Sequence, residues 1–363
     1  MRVMLLVTDH QRGGTPLRLA RLAVGLRDAG IDVCAGCLAP PGPVTAELAA
    51  QGITTFACQA RGAWDGSAVC RLAGHVRRLA PDLIHSTLMH ANVAARVVGC
   101  LTRVPVVTST ATIEVERRWH LWVERLTARL DRGHIVNSRS LAHHVREAFR
   151  RPAHRVFVVS PLVAQPRVPD RAQARAALGI GADEFVVVWV GRLDPVKRVE
   201  IIVRCAEQMA AVPCRFLLVG DGPDRTRLEG MLRQSSAAGR VRLLGWQDEP
   251  GLALGAADVF LFPSLTEGMP NAVLEAMWAG LPVVAADLPA LRELAGEESG
   301  LRLVAEPTPQ AFAAVLRELH DDQMGRRALG LRACTWARDH LDPAAAVQAH
   351  IAVYRRILAG SEH

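Results

Sequence analysis

A chain of 363 residues, half of them apolar, exceeds what one hydrophobic core usually serves, so two domains of ordinary size are the simplest division. Of its 43 basic residues only Lys197 is a lysine, and the net charge of +7 favours an acidic substrate or an anionic surface. Aromatic residues make up 4% with a single Tyr, which offers no interleaved basic-aromatic strip for nucleic acid, and no apolar run reaches the ~18 residues of a membrane span.

The first half alternates strand and helix. Apolar runs predict strands at Val3–Val7, Ile31–Cys37, Thr54–Phe56, Asp82–His85, Val104–Thr108, His134–Val136 and Arg155–Val159. Helical periodicity fills the intervals at Pro16–Ala29, Thr45–Gln51, Ser67–Leu79, Asn92–Leu101, Trp119–Leu130 and Ser138–Phe149. Such alternation implies a parallel sheet with helical crossovers. Polar Thr8-Asp9-His10 follows the first strand directly, so no secretory signal is expected. Cys34 and Cys37 form a Cys-x-x-Cys inside a strand with no second pair, and the eight scattered cysteines read as buried free thiols in a reducing cytoplasm.

The segment from Glu114 to Arg132 carries Trp119, Trp122, Leu126 and Leu130 on one helical side among Arg117, Arg118, Arg125, Arg129 and Arg132. It has two readings. One is a dock for an anionic membrane surface. The favoured one is a domain helix with its apolar side in the core and its arginines in solvent.

The proline-containing stretch Pro161–Pro169 reads as a linker, after which a second alternation begins. Its strands are Phe185–Val190, Cys214–Val219, Val241–Leu243, Val259–Phe262, Pro282–Ala285 and Gly300–Val304, and helices Phe312–Leu319, Gln323–Leu341 and Ala344–Leu358 follow. The expected division is residues 1–165 and 166–343, two Rossmann-like domains, and a final helix over 344–363.

Two motifs carry the chemistry. After the strand Phe185–Val190 comes Gly191-Arg192-Leu193-Asp194-Pro195-Val196-Lys197, in which Asp194 is expected to cap a helix with Pro195 at its first position. Arg192 on the loop and Lys197 on the first helical turn then converge at a helix N-terminus, a setting suited to a diphosphate; the other reading is a basic surface turn. About seventy residues later, Glu267-Gly268-Met269-Pro270-Asn271 leads into a helix holding Glu275, so two carboxylates face a ligand whose hydroxyls they can accept from. Their alternative is an ordinary solvated helix end.

With Leu217-Leu218-Val219-Gly220-Asp221-Gly222-Pro223 and Leu244-Gly245-Trp246 between them, these motifs follow the order and spacing of the retaining glycosyltransferases of family 4, which the chain resembles over nearly its whole length. In the first half the likeness rests on Gly13-Gly14, the strand spacing and Pro105-Val106-Val107-Thr108-Ser109-Thr110. The resemblance implies the GT-B fold, two Rossmann-like doubly wound domains facing across a cleft, with the last helix returning to the first domain. It implies a metal-independent hexosyltransferase acting with Arg192, Lys197 and Glu267, and with Gly13, Gly14, Gly191, Gly268, Met269, Pro270, Asn271 and Glu275 binding a nucleotide-diphosphate sugar, UDP-sugar being the commoner guess. No cofactor or metal is expected. The acceptor is a glycan, a glycolipid or a small molecule, nucleic acid is not a partner, and the location is cytoplasmic with peripheral membrane contact as an option. A non-catalytic nucleotide-sugar or glycan-binding subunit and a sugar-nucleotide epimerase are the competing readings. Many family members have a His after the fifth strand where this chain has Ala111, and Ser160-Pro161-Leu162 replaces the usual Asn before the linker. His90, after the preceding strand, is a candidate on the acceptor side, although a lone His is more often structural.

Overall fold

The computed structural model describes every residue except 63–64, 113–117, 164, 297 and 361–363, so Glu114 and Arg117 lie outside the described residues. Two compact units form, Met1–Leu162 with Leu341–His363, and Val163–His340.

In the first unit the strands are β1 (Arg2–Val7), β2 (Asp32–Cys37), β3 (Thr54–Ala57), β4 (Leu83–Thr87), β5 (Val106–Thr110), β6 (Gly133–Val136) and β7 (Val156–Val158). They lie in the order β3-β2-β1-β4-β5-β6-β7 with parallel pairing throughout. Burial on both faces is why these strands read as continuous apolar runs. Leu5 and Val7 belong to the cluster under the helices Gly14–Asp28 and Pro343–Ala359, while Met4 and Leu6 face the helices Gly66–Leu79 and Met89–Thr102. A Cβ built on Gly25 would lie 2.5 Å from Val347 Cγ2, so the glycine lets the final helix settle against Gly14–Asp28. Cys34 and Cys37 are buried free thiols on β2, and burial pushes both up to about 12, which keeps them protonated and inert.

The helix Arg118–Thr127 corrects the favoured reading of its apolar stripe. Trp122 is 63% and Leu126 70% exposed, and Trp119 and Leu130 also face solvent. The buried side is instead polar: Glu124 pairs with Arg96 at 2.7 Å, and Thr127 Oγ1 accepts from Arg96 at 2.7 Å. Arg96 also meets Asp131 at 2.7 Å, and Asp131 takes both guanidinium nitrogens of Arg151. These buried charges need partners more than the stripe needs a core, so the helix docks by its polar face.

In the second unit β8 (Phe185–Val190), β9 (Cys214–Val219), β10 (Val241–Gly245), β11 (Val259–Phe262), β12 (Val283–Ala286) and β13 (Leu301–Val304) form a parallel sheet ordered β10-β9-β8-β11-β12-β13. Both sheets therefore reverse their strand order once, between β1 and β4 and between β8 and β11, and each reversal opens a crevice at the carboxyl ends. A helix at Arg171–Leu178, not predicted from the sequence, precedes β8. Its signal was present, since Asp170 caps it and Gly179 ends it at φ 63°. Through this helix Arg171 and Arg175 each reach Asp258 at 2.8 Å, with the Val186 amide donating to the same carboxylate at 2.8 Å.

Candidate active site in the second unit

The reversal between β8 and β11 brings the two sequence motifs together, because Gly191 to Lys197 leave β8 and Glu267 leaves the neighbouring β11. The Lys197 ammonium forms an ion pair with Glu267, and it lies 5.9 Å from the ring centre of Phe262 at the end of β11. The Leu265 amide donates to the Val196 carbonyl at 2.8 Å, which ties the two loops by backbone as well. The Glu267 side chain is 5% exposed and that of Lys197 21%, so the carboxylate depends on the ammonium while the ammonium keeps an open side.

The loop after β8 is fixed from behind. Leu193 is fully buried, its amide donates to Asp221 at 3.0 Å, and its carbonyl accepts from Asp224 at 3.0 Å. Gly220 adopts φ +136°, and a Cβ there would lie 1.7 Å from the Gly191 carbonyl oxygen, so only glycine permits this contact. That clamp leaves Arg192 exposed at the edge of the site.

One local expectation is corrected. Asp194 caps a single 3-10 turn, Pro195–Lys197, with the Val196 amide donating to its side chain at 3.3 Å. Arg198 then takes a left-handed φ of 51°, and the long helix starts only at Glu200. Lys197 thus stands on a tight turn that points it at Glu267 rather than on the first turn of a helix.

Gly268, Met269 and Pro270 are buried, and Asn271 begins the helix Asn271–Trp278, in which half-buried Glu275 sits one turn along. The helix has no side-chain cap, and both Asn271 Oδ1 and the Ser264 hydroxyl are buried without a hydrogen-bond partner. Each such buried orphan needs a partner, which a water or a ligand can supply. Ser264 was missed from sequence, where it reads only as the end of an apolar strand.

In the first unit Gly13 is the extended residue before the helix Gly14–Asp28, and no described atom lies within 4 Å of a Cβ built on Gly14. The unit's own packing therefore does not demand glycine at Gly14. His90 starts the helix Met89–Thr102 and sets its ring against His120 and Trp119, at 5.6 and 6.3 Å between centres. Ala111, in place of the family's usual His, lines a recess together with His120, His144 and Glu124. Among the described residues no three His, Cys, Asp or Glu side chains are grouped to hold a metal ion.

Comparison with known proteins gives the family and the fold. A D-inositol 3-phosphate glycosyltransferase of Kineococcus radiotolerans is 35% identical over 230 residues, 56% of this chain and 52% of the relative. The lipopolysaccharide core biosynthesis glycosyltransferase LpsD of Rhizobium meliloti is 31% identical over 188 residues, 52% of this chain and 54% of its own. The chain thus spans about half the length of the curated relatives it matches. Among solved structures, Anabaena HepE in complex with UDP and glucose superposes at a TM-score of 0.87 and 21% identity, covering 98% of this chain and all of the other. Sucrose-phosphate synthase of Thermosynechococcus elongatus superposes at 0.83 and 20% identity, covering 99% and 100%, so both share the GT-B fold. Residues 13–161 match the glycosyl transferase 4-like domain and residues 184–322 the glycosyl transferases group 1 domain, and the chain belongs to this group 1, GT4-like family of glycosyltransferases.

Proposed function

We propose that the protein transfers a hexose from UDP-hexose to an acceptor hydroxyl with retention of anomeric configuration and without a metal ion. The observation that carries this reading is the meeting of Lys197 and Glu267 at the strand reversal, with Arg192 at the rim. Lys197 and Arg192 stabilise charge as it grows on the departing diphosphate. Glu267 orients the sugar hydroxyls, with the backbone of Gly268 to Asn271 beside it, and Glu275 holds the ribose. The acceptor oxygen bonds to the anomeric carbon on the face that the diphosphate oxygen leaves, and its proton passes to that oxygen. UDP is the favoured nucleotide because the HepE structure contains UDP and glucose. In this reading Gly13 and Gly14 face the phosphates or the acceptor, and residues 1–165 and 166–343 serve acceptor and donor respectively.

The acceptor is a glycan, a lipid-linked sugar or a small molecule, and the exposed stripe of Trp119, Trp122 and Leu126 supports a peripheral site on the cytoplasmic membrane face. No helix among the described residues is long and apolar enough to cross a membrane. The test is a melting-temperature screen against UDP-, GDP-, ADP- and dTDP-sugars with and without EDTA, followed by detection of released UDP. A shift from the uridine series unchanged by EDTA is expected. A shift confined to another base, or dependence on added Mn²⁺, overturns the donor or the metal-free part.

A further inference from the structure

A second recess lies at the other strand reversal, wholly inside the first unit. Thr15 and Arg18 reach it from the helix after β1, His85 and Thr87 from β4, and Ser109 from β5. Its lining contains no Asp or Glu. Half-buried Arg18 differs from the buried arginines of the described residues. Arg96, Arg151 and Arg175 all hold carboxylates, whereas the Arg18 guanidinium makes no hydrogen bond or ion pair with any described residue. Burial alone pushes it down to about 10, which still leaves it charged at neutral pH.

A second, independent feature points the same way. His85 is 2% exposed and lines the recess, with Nδ1 held by the Tyr354 hydroxyl at 2.7 Å and Nε2 lacking any partner. Tyr354 is fully buried, and burial raises its pKa far above the working range, so its hydroxyl keeps a proton to give. When the hydroxyl donates to Nδ1, the ring hydrogen of neutral His85 lies on Nε2, inside the recess. The helix Gly14–Asp28 adds its uncapped first turn, which has no acidic side chain.

We propose that this recess is an oxyanion subsite, in which Arg18 and His85 Nε2 grip a phosphate or carboxylate group carried by the acceptor. The assignment to the acceptor rests on the transferase reading, and the oxyanion site itself does not. Arg18 is half-buried, and a cation drawn partly out of water without a partner gains from a bound anion that supplies the missing half of the pair.

The probe is inorganic phosphate, with acetate as the carboxylate arm and chloride at matched ionic strength as the control. Melting temperatures are read with saturating UDP present, so that the donor site is filled. Phosphate at several times its dissociation constant is expected to raise the wild-type melting temperature by roughly 2–4 °C. Arg18→Met, which keeps the stem and removes the charge, is expected to abolish that rise, and Arg18→Lys to retain part of it. An equal rise in acetate that also needs Arg18 supports the subsite and admits carboxylate acceptors; a rise in phosphate alone restricts it to phosphoryl groups. No rise up to about 100 mM phosphate, or a rise of the same size in Arg18→Met, overturns the proposal. Stabilisation by UDP is read in the same series. Its loss with the phosphate response intact defeats the transferase reading alone, and the converse defeats the subsite alone.

Discussion

Replacing Lys197 separates what the ion pair does for stability from what the ammonium does for chemistry. Glu267 is 5% exposed, so Lys197→Ala leaves a nearly buried carboxylate without its cation. Breaking a fully buried pair costs about 3–5 kcal/mol, and because the lysine side chain is 21% exposed, solvent recovers part of that, leaving about 2 kcal/mol. For a unit of this size the loss is roughly 4–8 °C in melting temperature. Turnover is expected to fall by on the order of a hundredfold or more at saturating donor, the scale for removing one group that stabilises transition-state charge. The discriminating double variant is Lys197→Met with Glu267→Gln. With both charges gone it should recover most of the lost stability while its turnover stays low. The assay pairs differential scanning calorimetry with UDP release at saturating donor. Wild-type turnover in Lys197→Ala refutes the catalytic assignment, and a double variant as unstable as the single one refutes the pairing argument.

Other outcomes follow from the same physics. Asp258 serves Arg171 and Arg175 at 2.8 Å each, so Asp258→Ala should destabilise the second unit by about 3–5 kcal/mol in urea unfolding, and a change within error would mean the cluster is not coupled. In the first unit burial lowers His10 and His350 to about 4 and holds His85 and His134 well below 6.5. Each stays neutral when folded and takes a proton when unfolded, so its stabilisation is complete above pH 6.5 and falls by up to about 1.4 kcal/mol per pH unit towards pH 4. A first-unit melting temperature that stays flat from pH 7 to 5 would contradict this. The stripe on Arg118–Thr127 should carry the protein onto anionic vesicles, and Trp122→Ser with Leu126→Ser should cut that binding tenfold or more in sedimentation. Equal binding to neutral vesicles, or none to anionic ones, removes the membrane proposal.

The two parallel sheets were legible in the order of residues, because strands buried on both faces read as unbroken apolar runs whatever they pack against. That Lys197 and Glu267 stand beyond the carboxyl ends of two strands was legible for a related reason, since each follows an apolar run that ends in a loop. The meeting of Lys197 with Glu267, 70 positions apart, was decided only by the strand order that makes β8 and β11 neighbours. The direction of the Trp119–Leu130 stripe was likewise tertiary: periodicity says that a helix has two unlike faces but not which one is covered, and here the buried Arg96 cluster claimed the polar face. Arg18 and His85 belong to the same class. Nothing local distinguishes one arginine of an arginine-rich chain from the rest, and only the folded unit leaves this one facing a recess without a carboxylate.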